Sequence, residues 1–268
     1  MTMANPIGSF VWYELMTPDP DAAAAFYGAV IGWKISAQPS PEAVGVDYRM
    51  IVRDDGGMAG GVLKLTDEMI AHKARPWWLP YLYVPDVDTA VAAIEAEGGK
   101  VAMPATDLPV GRIAMVIDPQ SVPIYLITPV PPPGQPDAAT DVFDEHAAQR
   151  VRWNELASPD LDGSLAFYAA HFGFEFNERM PIGAMGDYCF VEHHGKTLGA
   201  MMSQHDAGQQ PLWLQYFGVP SVVAAKAAVE AGGGQVLMGP HEVPGGNWIV
   251  IAHDPHGARF GLVADRGD

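Results

Sequence analysis

The chain has 268 residues, 49 % apolar and 18 % charged, with a formal net charge of −17 and one cysteine. That balance excludes a disordered chain, a fold held by internal disulfides, and a nucleic-acid binder, which needs Lys and Arg to neutralise phosphates. No run of 18 or more apolar residues is present to span a membrane, and MTMANPIGSF lacks a basic stretch followed by an apolar one, so a cytoplasmic protein is expected.

The alternating run FVWYELMT, residues 10–17, predicts a half-buried strand. It ends at Pro18-Asp19, where Asp19 can cap a helix that has Pro20 at its first position and stops near Gly32. Strands follow at residues 48–52 and 60–65. The order then restarts with a strand at 79–84, a helix capped by Asp86 and ended by Gly98-Gly99, and strands near 100–103, 113–117 and 124–127. The second half repeats this order, with Asp160 and Ser221 as caps and Gly173 and Gly232 as stops.

The repetition is also literal. VRWNELASPDLDGSLAFYAAHFGF at 151–174 matches FVWYELMTPDPDAAAAFYGAVIGW at 10–33 in its Trp, Glu, Leu, Pro, Asp, Phe, Tyr and Gly. Asp47-Tyr48 corresponds to Asp187-Tyr188, Trp78-Leu79-Pro80-Tyr81 to Trp213-Leu214-Gln215-Tyr216, and Asp118-Pro119 to Asp254-Pro255. The pattern predicts one domain at 8–130, a linker at 131–149 and a second domain at 150–266, as a monomer or homodimer. The Pro-rich start of the linker reads as an extended spacer and its acidic remainder as exposed chain. The expected class is α+β, each domain being two β-α-β-β-β modules with outer helices and curved sheets around a cleft.

The order of elements, together with Asp19, Asp21, Phe26, Tyr27 and Gly32 and their copies Asp160, Asp162, Phe167, Tyr168 and Gly173, resembles the vicinal oxygen chelate superfamily. That superfamily includes glyoxalase I, extradiol dioxygenases and the fosfomycin- and bleomycin-resistance proteins. Its final-strand signature, D-P-x-G, is intact at Asp254-Pro255-His256-Gly257 and degraded at Asp118-Pro119-Gln120-Ser121. The resemblance implies glyoxalase-like domains and, in chelating members, His, Glu or Gln ligands to a divalent metal. Those ligand positions fall here on Trp12, Leu79 and Tyr125, and on Trp153, Leu214 and Gly261. None is an ordinary ligand, Tyr125 at most a reluctant tyrosinate, so no metal and no cofactor are expected at the usual place. A relocated site among His171, His193, His194, His205, His241, His253 and His256 is the alternative; the adjacent His193 and His194 read as exposed turn residues.

Side chains two apart on a strand share a face, so Glu14 points with Trp12 and Glu155 with Trp153. A carboxylate among aromatic groups can act as a general base or hold a cationic or hydroxyl-bearing ligand; equally, it can accept hydrogen bonds from backbone or a tyrosine and serve stability. Trp12, Tyr48, Trp78, Tyr81, Tyr125, Trp153, Tyr188, Trp213 and Tyr216 are the candidate ligand-lining aromatics, core packing being the competing role. Phe26-Tyr27 and Phe167-Tyr168 read as helix core, and Cys189 as a small buried residue. Two functions stay open. One is a binder of a small organic molecule in an aromatic, acidic cleft without the usual metal. The other is a lyase, isomerase or oxygenase using Glu14 or Glu155 with a relocated metal or none.

Overall fold

A computed structural model describes residues 5–43, 45–131, 134, 138–206, 208 and 210–265. In chain order the first repeat contains β1 (Phe10–Thr17), α1 (Pro20–Val30), β2 (Lys34–Ile35), β3 (Tyr48–Val52), β4 (Met58–Lys64), α2 (Asp67–Ala71), β5 (Trp77–Tyr83), α3 (Val87–Ala96), β6 (Lys100–Leu108), β7 (Gly111–Ile117) and β8 (Pro123–Pro129). The second contains β9 (Val151–Ser158), α4 (Leu161–Phe172), β10 (Arg179–Pro181), β11 (Asp187–His193), β12 (Lys196–Ser203), β13 (Trp213–Gly218), α5 (Val222–Ala231), β14 (Gln235–Glu242), β15 (Trp248–His253) and β16 (Arg259–Ala264). These are the four β-α-β-β-β modules of the sequence pattern, with the short α2 as an unanticipated addition.

The helix boundaries follow from their caps. Asp19 accepts from the N–H groups of Asp21 and Ala22, Asp86 from Thr89, Asp160 from Gly163 and Ser221 from Ala224. Each satisfies a donor that the first helical turn leaves without a carbonyl. Gly173 ends α4 in the left-handed conformation, φ +68°, which glycine adopts without the Cβ penalty.

Each module closes a four-stranded group by one parallel pair. The strand orders are β2-β3-β4-β1, β5-β8-β7-β6, β10-β11-β12-β9 and β13-β16-β15-β14. In the first, Glu14 is opposite Gly61 across β1 and β4, and Gly61 is opposite Met50 across β4 and β3. In the third, Glu155 is opposite Ala200, and Ala200 is opposite Phe190.

The chain packs as two units, and each draws one module from each repeat. The first holds residues up to Val11, Leu79–Thr140 and Trp153–Trp213; the second holds Trp12–Trp78, Asp141–Arg152 and residues from Leu214 onward. The core of the first unit is an aromatic cluster of Phe10, Tyr168, Phe174 and Trp213, all buried. In the second unit α1 packs against α5, and Tyr27, Trp33, Trp78 and Phe217 form the matching cluster. Tyr27 and Tyr168, read as helix core, are both fully buried.

The connecting segment is anchored as well as exposed. Residues 132, 133 and 135–137 of its Pro-rich start lie outside the described residues. Its acidic residues Asp141, Asp144 and Glu145 are exposed, yet the segment is tied down: Val142 is buried, and Asp141 binds Arg53 at 2.5 Å and Arg150 at 3.0 Å. Arg150 also binds Asp55 at 2.9 Å, and the Gln149 side chain accepts from the Asp54 N–H at 2.8 Å. Asp141 has a cationic partner remote in sequence in Arg53, and Val142 adds an apolar anchor. No helix among the described residues is long and apolar enough to cross a membrane.

Candidate functional site

The same three-residue arrangement occurs once in each repeat. In the second unit, Trp12 on β1 donates its indole N–H to the Tyr48 hydroxyl at 2.7 Å, and that hydroxyl donates to Glu14. In the first unit, Trp153 donates to Tyr188 at 2.9 Å, and Tyr188 donates to Glu155 Oε2 at 2.7 Å. Strand parity puts Trp and Glu on one face, and β3 or β11 brings in the tyrosine from two strands away. Burial, and then the neighbouring carboxylate charge, pushes both tyrosine hydroxyls well above their ordinary range. Each phenol therefore keeps its proton and orders its glutamate; hydrogen bonding by a tyrosine, weighed above as the stabilising role, is present in both copies.

The other candidates divide between two settings. Tyr81 and Tyr125, opposite each other on β5 and β8, stack with ring centroids 4.2 Å apart and planes at 12°. Tyr216 lies over Gly261, its partner on β16: a Cβ on Gly261 would come within 2.3 Å of the Tyr216 ring. Trp78 and Trp213 sit in the aromatic clusters, where their N–H groups donate to Tyr27 and Tyr168, each at 2.9 Å. Tyr27 in turn donates to Asp254 at 3.1 Å, whereas Tyr168 lies beside Asp118, whose Oδ2 is buried without a hydrogen-bond partner. The Trp78–Tyr27–Asp254 chain and its partial counterpart at Trp213, Tyr168 and Asp118 were not foreseen. The literal repetition of Phe-Tyr in the helices and Asp-Pro in the turns was the available signal.

The degraded signature keeps its turn. Asp118 accepts from the N–H groups of Gln120 and Val122, as Asp254 does from His256 and Ala258, and Ser121 takes φ +71° where Gly257 takes +95°. Among the histidines, His193 corrects the expectation of exposure. It is 4 % exposed, with Nε2 2.7 Å from the Ile7 carbonyl and with burial holding its pKa low. Cys189 is fully buried and its thiol is pushed up by that burial, as a packed rather than reactive cysteine requires.

The side chains at the family's ligand positions do not fit a metal. Trp12 and Trp153 use their indole N–H groups as donors, Leu79 and Leu214 are buried hydrocarbon, Tyr125 is stacked, and Gly261 has no side chain. Among the described residues no group of three or more His, Cys, Asp or Glu side chains is placed to hold one elsewhere. Protein purified without chelators is expected to carry under about a tenth of an equivalent of Mn, Fe, Ni or Zn by elemental analysis. A stoichiometric metal would overturn this.

Comparison with known proteins agrees with the fold. The sequence model of the Glyoxalase/Bleomycin resistance protein/Dioxygenase superfamily matches residues 9–124 and again 146–262. A Mycobacterium bovis protein named as a glyoxylase, CFP32, is 30 % identical over 253 residues, covering 94 % of this chain and 93 % of that protein. Anthracycline biosynthesis protein DauV of Streptomyces sp. is 26 % identical, covering 98 % of this chain and 95 % of that one. The Mn(II)-bound glyoxalase from Novosphingobium aromaticivorans superposes with a TM-score of 0.62 at 17 % identity, over 97 % of this chain and 83 % of that one, a likeness of fold.

Proposed function

The chain belongs to the glyoxalase/bleomycin resistance protein/dioxygenase superfamily, and from that premise we propose that it binds a small organic molecule at a Trp–Tyr–Glu group without the metal of its chelating relatives. The observation that carries this reading is the substitution of an indole for the first metal ligand in both repeats. In each, the indole holds a tyrosine, which in turn holds a glutamate. A fixed carboxylate beside aromatic surface suits a ligand with a flat ring and a cationic or hydroxyl group. The similarity to a protein named for anthracycline biosynthesis supports a small organic molecule as partner.

A thermal-shift screen of flat and of cationic compounds is expected to raise the melting midpoint. The double variant Glu14→Gln, Glu155→Gln should abolish the rise. No stabilisation by any compound class would sink the reading. The glyoxylase name of the mycobacterial relative favours a second one, in which the same glutamates act as general bases in lyase, isomerase or oxygenase chemistry. Its assay is turnover of glutathione–methylglyoxal hemithioacetal and of catechol, with and without added divalent metal. Turnover that survives both Gln substitutions would remove the glutamates from that role.

A further inference from the structure

The two Trp–Tyr–Glu groups are not equivalent. On β9 the alternate residues Trp153, Glu155 and Ala157 are all half-buried, leaving one face of the strand open. On β1 only Trp12 is; Glu14 is 2 % and Met16 5 % exposed. The register supplies one cause. Across β3, β4 and β1 the row reads Met50, Gly61, Glu14, whereas across β11, β12 and β9 it reads Phe190, Ala200, Glu155. A Cβ on Gly61 would lie 2.1 Å from the Tyr48 hydroxyl oxygen, so the phenol rests on bare backbone beside Glu14. At Ala200 a methyl group fills that place. The second cause is side-chain size, Met16 standing where Ala157 does.

The same row adds a residue that the glutamate and tryptophan do not reveal. Phe190 is half-buried and meets Trp153 edge-on, centroids 6.1 Å apart at 84°, and Tyr188 at 5.7 Å and 86°. Three rings and a carboxylate thus share one partly open face, and the first repeat has Met50 in place of the third ring.

We propose that the face formed by Trp153, Glu155, Tyr188 and Phe190 is where the ligand binds, that its ligand is a planar aromatic cation, and that the first repeat's copy is closed. The inference rests on the small-molecule reading above and adds both location and ligand class. Ring faces attract a cation through their quadrupole, and Glu155 supplies the opposite charge. The Tyr188 proton is directed at Glu155, so the face offers an approaching ligand acceptors and π-surface. The net charge of −17 draws cations and repels anions at long range.

Two measurements on the full chain test this. The first is ligand-independent: brief carbodiimide coupling of glycine ethyl ester to the wild type, read by peptide mass spectrometry, should label Glu155 and spare Glu14. Equal labelling, or the reverse, would overturn the asymmetry. The second is titration with proflavine followed by its fluorescence. One site per chain is expected, weakened about tenfold or more by Phe190→Ala and by the more conservative Glu155→Gln. Unchanged affinity in correctly folded Glu155→Gln would overturn the location. Absence of proflavine binding by the wild type would overturn the aromatic cation as ligand class, and the wider screen would then judge the small-molecule reading on its own.

Discussion

Trp78→Ala is expected to lower the unfolding free energy by about 3–5 kcal/mol, the range for truncating a fully buried large aromatic side chain. Trp78 is 2 % exposed and packs against Tyr27, Trp33 and Phe217, with ring centroids 5.4, 5.7 and 4.8 Å away. Truncation leaves a cavity walled by rigid rings, which collapse poorly around a void. It also removes the indole donor from the Tyr27 hydroxyl, the middle member of the chain to Asp254. Trp78→Phe retains most of the buried area and loses the N–H, so it should cost less, about 1–2 kcal/mol. Trp213→Ala should match Trp78→Ala, because Trp213 is 1 % exposed and makes the same bond to Tyr168. Denaturant unfolding followed by circular dichroism measures the series. A cost below about 1 kcal/mol for either alanine variant would show that these indoles are not structural keystones.

The contrast between Trp12 and Trp78 shows where sequence reasoning reaches and where it stops. Both are tryptophans at repeated strand positions, and both were candidates to line a ligand site. Parity along one strand correctly grouped Trp12 with Glu14. It says nothing about which residue stands two strands away, so the bridging role of Tyr48 required the register through β4. Trp78 has an equally apolar local pattern, and only the packing of Tyr27 beside it assigns its indole to the core. Helix caps were legible because Asp19, Asp86, Asp160 and Ser221 act on neighbours two or three residues away. The anchoring of residues 138–150 was not, because Arg53 and Asp55 lie about ninety residues upstream. The composition of the packed units was also hidden. Four modules with one pattern carry no mark of which two will share a core, and here Tyr27 of the first repeat meets Asp254 of the second. Phe190 was within reach: it stands two residues after Tyr188 and therefore on its face.

Asp118→Asn is expected to flatten the pH dependence of stability between pH 4 and pH 7. Asp118 is 3 % exposed, and burial pushes its carboxyl up to about 6 despite the N–H groups of Val122 and Gln120 and the hydroxyl of Tyr168. In the unfolded chain the same group titrates near 3.8. Between those values the folded protein holds a proton that the unfolded chain has released, so stability falls as pH rises. Below about pH 4 both states are protonated and the contribution is complete; above about pH 6 it is lost. The difference corresponds to about 3 kcal/mol. Asparagine is neutral throughout and can still accept both backbone N–H groups through its carbonyl oxygen. Relative to wild type, the variant should therefore gain about 2–3 kcal/mol on going from pH 4 to pH 7, whatever its offset at pH 4. Asp254→Asn should gain in the same direction, since burial also raises that carboxyl above its ordinary range. Urea midpoints of wild type and variants at closely spaced pH values give the answer. Parallel curves across this window would mean that Asp118 titrates as an ordinary carboxyl and that its burial has no linkage to folding.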